Sequence, residues 1–202
     1  EGSVVDSARK VWLTVAEGQR HDGTFASGAR IDRGGNTATA ILVKSPFTRI
    51  EWLEVSNFGT GYAVNMWPPL ATISRSSVVN CLFHNSSRVG MGIRMHLGDR
   101  SQYDTIVGNV FYNVGVGAYS YGAGALFIGN TAYSCSIGVQ IAGNSGQESV
   151  RNNIVLGNMI NWHFANDVKP TGGYNTYEPN GGFGDGFLYK FLQNQTANSC
   201  VP

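Results

Sequence analysis

Arg94, His96, Tyr119, Tyr121 and Gln140 are the residues whose types and spacing could carry chemistry. In extended chain, alternate side chains point to opposite faces. The segments "GMGIRMHLG" (90–98), "GVGAYSYG" (115–122) and "IGVQIAG" (137–143) therefore turn Ile93 and Met95, Ala118 and Ser120, Val139 and Ile141 to one side. Arg94 and His96, Tyr119 and Tyr121, and Gln140 fall on the other, and "NWHFAND" (161–167) adds His163. Aligned on Gly92, Gly117 and Gly138, the segments put Arg94, Tyr119 and Gln140 in one column and His96 beside Tyr121. Aromatic rings stack on the apolar faces of pyranoses, and arginine grips a carboxylate in two parallel hydrogen bonds. Proton abstraction beside a uronate carboxylate needs a base and a cation, roles open to His96, Tyr119 or Tyr121 with Arg94. The same positions also read simply as solvated strand residues of good β-propensity.

A second candidate group follows His96. The loop "LGDRSQYD" carries Asp99 and Asp104, a carboxylate pair of the kind glycoside hydrolysis uses, or the polar residues of a turn. Trp67, in "NMWPPL", is either a sugar-stacking ring or a ring packed against its own coil. His21 and Asp22 sit in the Gly-bounded loop "GQRHDG", which reads most simply as a solvated turn. There is no P-loop, GxSxG, HExxH or dinucleotide fingerprint, no CxxC and no Cys/His cluster at zinc spacing. No metal site and no cofactor is expected.

Something must hold those columns. "VVNCLFHN" (78–85), "VGNVFYN" (107–113), "IGNTAYSC" (128–135) and "RNNIVLGN" (151–158) each place an apolar residue two positions after an Asn: Asn80/Leu82, Asn109/Phe111, Asn130/Ala132 and Asn153/Val155. Those asparagines recur at similar though unequal intervals, and a second strand follows each. An earlier copy, "RIEWLEVSN" (49–57), lacks the internal Asn. Strand, Asn-rich bend, Gly-containing strand and polar loop, repeated without a helical signature, predict a parallel β-solenoid. Asn stacked at one bend forms a side-chain ladder. Gly supplies corner conformations that a β-carbon opposes. A sandwich would show hairpins at about half this period.

The segments "VVNCLFHNSSRVGMGIRM", "VGNVFYNVGVGAYSY" and "IGNTAYSCSIGVQI" resemble the right-handed parallel β-helix repeats of the pectate-lyase-like superfamily, in particular its carbohydrate-binding and sugar-hydrolase branch. The resemblance covers residues 40 to 180. It implies an all-β, single-stranded right-handed parallel β-helix of about five to seven coils with loop-rich terminal caps. Residues 1–202 then form one domain: opening coils and N-terminal cap over 1–40, repeat body over 40–167, C-terminal cap over 168–202. In that cap Phe187, Leu188, Phe191 and Leu192 lie over the last coil or meet a neighbouring subunit. The resemblance also implies a polysaccharide or cell-surface glycan as partner, and a secreted or cell-surface location. If the chain is an enzyme, it is a polysaccharide lyase, epimerase or glycoside hydrolase. The catalytic candidates are then Arg94, His96, Tyr119, Tyr121, Asp99 and Asp104, and the substrate-binding ones Trp67, Gln140 and His163. The acidic cluster of the superfamily's calcium-dependent members is absent from the outward positions.

Composition fits this reading. Only 13% of residues are charged and the net charge is +1, against an electrostatic nucleic-acid binder, while 42% are hydrophobic. No apolar run reaches the roughly 18 residues of a membrane span. The chain opens at Glu1 without a signal peptide, as a processed product or a piece of a longer protein would. Cys81, Cys135 and Cys200 allow at most one internal disulfide, and Cys81 and Cys135 read as buried small apolar residues. The alternative to a glycan-directed protein is a structural module of a surface filament, adhesin or phage fibre, with end-to-end or homo-oligomeric assembly through terminal strands.

Overall fold

The computed structural model describes residues 6, 8–67, 74–96, 103–121, 124–142, 148–165 and 170–177. Within them the chain winds in three-strand coils. The first coil holds β1 (Val11–Leu13), β2 (Arg30–Asp32) and β3 (Ile41–Val43), and the second β4 (Thr48–Glu51), β5 (Glu54–Ser56) and β6 (Tyr62–Met66). The third holds β7 (Ser77–Val79), β8 (Leu82–His84) and β9 (Met91–His96), and the fourth β10 (Thr105–Val107), β11 (Val110–Tyr112) and β12 (Val116–Tyr121). The fifth holds β13 (Leu126–Ile128), β14 (Thr131–Tyr133) and β15 (Ile137–Ile141), and the sixth β16 (Ser149–Arg151), β17 (Ile154–Leu156) and β18 (Ile160–Phe164). A seventh begins with β19 (Thr171–Gly173) and β20 (Thr176–Tyr177).

Each strand pairs in parallel with its counterparts one coil away, giving two seven-stranded sheets and one six-stranded sheet. This is a parallel β-helix. Val11 pairs with Thr48 across a long first coil, whereas Thr105 pairs with Leu126 across a much shorter one. The coils thus differ in loop length while their strands keep register. The ladder continues through β19 and β20, into the segment expected to form the C-terminal cap; Phe187, Leu188, Phe191 and Leu192 lie outside the described residues.

Inward columns fill the interior. The first sheet contributes Ile50, Val78, Ile106, Phe127 and Val150, and the second Val55, Phe83, Phe111, Ala132 and Val155. Phe83 and Phe111 stack with centroids 5.4 Å apart. The third sheet contributes Val64, Ile93, Ala118, Val139 and Trp162. Each large side chain so buried stabilises the fold by roughly 1.5–3 kcal/mol.

The corners explain the Asn and Gly content. Between the first and second sheets, Trp52, Asn80, Gly108, Gly129, Asn152 and Tyr174 all hold positive φ, between 50° and 65°. Between the second and third sheets, Asn57, Asn85, Asn113, Ser134 and Gly157 do the same, at 51° to 61°. One expectation is corrected here. Asn80 does not join the Asn ladder, because Leu82 pairs with Val110, and that register sets Cys81 rather than Asn80 opposite Asn109. Asn80 occupies the left-handed corner, and Cys81 stands in the ladder position.

The ladder itself runs Asn109, Asn130, Asn153, Asn175, all buried. Nδ2 of Asn109 donates to Oδ1 of Asn130 at 3.1 Å and to the Val78 carbonyl at 2.9 Å; Asn130 and Asn153 repeat both bonds one coil on. Each Oδ1 also accepts a backbone N–H from the coil before, beginning with Cys81 N–H to Asn109 at 2.9 Å. Every polar atom of these side chains is thereby satisfied, as burial requires. Cys81 and Cys135 are free buried thiols, pushed up to about 12 and about 11 by burial.

Candidate functional site

The outward face of the third sheet follows from its register. Leu42 pairs with Asn65, Asn65 with Arg94, Arg94 with Tyr119, Tyr119 with Gln140 and Gln140 with His163. The expected column is therefore real, and two rungs longer than the sequence pattern suggested. Tyr121 pairs with His96, of which only the backbone is described. The inward partners Ile93, Met95, Ala118, Ser120, Val139 and Ile141 are all buried. Gly92 and Gly117 sit where the strands close on Phe111: a β-carbon would come to 2.7 Å from its ring at Gly92 and 3.1 Å from its Cβ at Gly117. Those glycines thus serve close packing rather than a corner.

Arg94 is the centre of the face. Its guanidinium lies 4.8 Å from the Tyr62 ring centroid and 5.7 Å from that of Trp67. Contacts of this kind contribute about 0.5–1 kcal/mol each at exposed sites. They also hold a long side chain in one place. Trp67 is 43% exposed, so its ring borders the face and is not absorbed into the core. Tyr62 was not singled out by sequence, although it lies in the strand segment "GYAVNM"; its alternation alone gave no reason to place it beneath Arg94.

Tyr119 is half-buried. Burial raises its hydroxyl above the usual phenol range; Arg94 opposes the shift, while Tyr121 and Tyr62 add to it. At neutral pH Tyr119 is therefore a hydrogen-bond donor rather than a ready base. Asn65 Oδ1 and His163 Nδ1 are buried and have no hydrogen-bond partner. Gln140, between Tyr119 and His163, is partly exposed.

Asp104 lies elsewhere. It is fully buried in the turn leading into the first sheet, where its carboxylate accepts the Ser76 N–H at 2.8 Å. Burial pushes its carboxyl up to about 6, against hydrogen bonds from Ser74 and Ser76. Asp99, its expected partner, lies outside the described residues. His21 is buried, with Nε2 2.8 Å from the Asn80 carbonyl, and so is not the solvated turn residue expected. Asp22 is exposed and hydrogen-bonded within its own loop to Thr24. Among the described residues, no three His, Cys, Asp or Glu side chains converge as metal ligands.

These features define the class: a parallel β-helix with a polar and aromatic ladder on the outer face of its third sheet. The chain matches no family model, no curated protein and no solved structure. No helix among the described residues is long and apolar enough to cross a membrane.

Proposed function

We propose that this is an extracellular β-helix protein of pectate-lyase-like type that binds or processes a polysaccharide along the outer face of its third sheet. The observation that carries the reading is the Arg94 guanidinium held between Tyr62 and Trp67, in line with Tyr119, Gln140 and His163. Six rungs from Leu42 to His163 extend about 24 Å at the spacing of paired strands. A linear polymer can lie along that length. Ring faces would meet sugar C–H faces, and hydroxyls would bond to Tyr119 and Gln140. Where the sugar is acidic, Arg94 supplies the cation for its carboxylate. Where a bond is broken by elimination, the proton acceptor comes from the rung of His96 and Tyr121.

The test is a screen of acidic and neutral polysaccharides for binding and for product release, with Arg94→Ala and Tyr119→Ala beside wild type. Binding that weakens in both variants supports the reading. No interaction with any glycan, or one indifferent to both substitutions, sinks it.

One observation favours a structural module of a surface assembly instead. At the β1 end of the first sheet, which no described residue extends, Val11, Trp12 and Leu13 are 41%, 63% and 40% exposed in succession. Unprotected apolar edge strands recruit other chains. Growth of the particle with concentration in light scattering, and filaments in electron microscopy, would favour this second reading.

A further inference from the structure

The outer face of the second sheet holds a group that neither reading uses. Glu54, Ser56 and His84 point outward from β5 and β8, yet are 0%, 0% and 4% exposed. Ser56 is buried beside His84, between it and Asp32, and Glu54 and His84 are covered by the N-terminal segment 20–28. Its Ala26 N–H donates to Glu54 Oε2 at 2.8 Å, and its Phe25 ring lies on the His84 ring with centroids 4.3 Å apart. Phe25 also reaches Tyr112 at 5.4 Å, while remaining 49% exposed. Ala26 holds this position at φ 61°, a left-handed conformation that costs a non-glycine residue about 1–2 kcal/mol. The segment is a strap laid over a polar surface.

Two polar atoms of this group lack partners. Glu54 Oε1 lies 2.8 Å from His84 Nε2. That contact engages Nε2 and leaves Nδ1 as the open nitrogen of the imidazole. That Nδ1 is buried without a hydrogen-bond partner, and so is Ser56 Oγ. Ser56 and His84 are register partners on adjacent rungs, about 4.8 Å apart along the sheet. Buried polar groups are normally satisfied, and two orphans side by side ask what completes them.

The geometry points to a second saccharide site, closed by the strap, which takes a neutral pyranose. The sugar ring takes the place of Phe25 against His84 and Tyr112. One of two neighbouring hydroxyls hydrogen-bonds to His84 Nδ1, and the other exchanges a hydrogen bond with Ser56 Oγ. Glu54 is the positioning residue, holding the imidazole by Nε2 so that Nδ1 is left for the ligand. Phe25 is a built-in competitor for the stacking position. Only the class of ligand rests on the polysaccharide reading; the site and its residues are separate from the Arg94 face.

The experiment titrates the full chain with two neutral hexasaccharides, cellohexaose and mannohexaose, by calorimetry. Phe25→Ala should bind at least one of them about five- to tenfold more tightly than wild type, the worth of a ring-stacking contact. Ser56→Ala in that background should take back about three- to tenfold, the worth of one neutral hydrogen bond. Deleting an unpaired buried hydroxyl does not threaten folding, so that loss reports on the ligand. In wild type, saturating sugar should speed hydrogen exchange across residues 20–28. No gain from Phe25→Ala, or a silent Ser56→Ala, overturns the site. Should Phe25→Ala fail to fold, unchanged exchange at 20–28 in wild type overturns it alone. Repeating the titrations in Arg94→Ala separates the two faces: loss there with Phe25→Ala silent leaves the third-sheet reading standing and removes this one.

Discussion

Arg94 and Tyr119 are direct register partners on neighbouring strands of the third sheet, although a full coil of chain separates them. Their side chains share a field: the Arg94 charge lowers the Tyr119 hydroxyl while burial raises it.

Arg94→Lys should therefore be a poor substitute. It keeps the charge but loses the planar fork and the stacking on Tyr62 and Trp67. Melting temperature should move little, because exposed cation–π contacts contribute only about 0.5–1 kcal/mol each. Affinity for the polysaccharide found in the screen should fall about tenfold or more. Calorimetry beside thermal melts separates the two effects.

The Asn ladder makes an asymmetric prediction. Asn130→Ala strips the Asn109 amide of one of its two acceptors, leaves the backbone N–H of Asn109 unmatched and removes a side-chain donor to the Ile106 carbonyl. At about 1–3 kcal/mol for a buried unpaired group, with the lost amide bonds added, the variant should lose about 2–4 kcal/mol in urea melts. Asn80→Gly, by contrast, should cost no more than about 1 kcal/mol, because its left-handed corner suits glycine. Equal losses would place Asn80 back in the ladder.

Gly92→Ala drives a methyl to 2.7 Å from the Phe111 ring and 2.6 Å from the Gly117 carbonyl oxygen. Overpacking of that kind costs about 1–3 kcal/mol. Phe111→Leu should recover part of the loss at Gly92 in a double-mutant cycle. A purely additive result would show that the backbone contact alone sets the cost.

Asp104 sets a pH dependence of unusual sign. Its folded carboxyl is raised to about 6 from 3.8, so the folded state holds the proton more tightly than the unfolded chain does. The stability it contributes is complete below pH 3.8 and is lost as pH rises through about 6. The swing is on the order of 3 kcal/mol. Asp104→Asn keeps an acceptor for the Ser76 N–H and removes the titration. Urea melts at pH 4, 5, 6 and 7 should show the wild-type curve falling relative to the variant; parallel curves would refute the assignment.

Much of this architecture is legible in the sequence itself. The recurrence of strand and Asn-rich bend announced stacked coils. Strict alternation in 90–98, 115–122 and 137–143 sorted inward from outward residues correctly, so Arg94, Tyr119, Gln140 and His163 could be aligned by counting. Alternation works because extended backbone leaves a side chain only two directions.

Counting failed at the bends. Asn80 and Cys81 are neighbours, and asparagine suits both a left-handed corner and a ladder, so the register there was undetermined until Leu82 was seen opposite Val110. Periodicity also assigns a face without saying what covers it. Asp104 at the turn, and Glu54 and His84 beneath Phe25, are polar residues that only long-range packing buries. Local sequence thus determined the winding and the direction of each side chain, because those depend on the backbone of a few residues. Tertiary structure alone decided which outward surfaces stay open, because that depends on segments distant in the chain coming to rest over them.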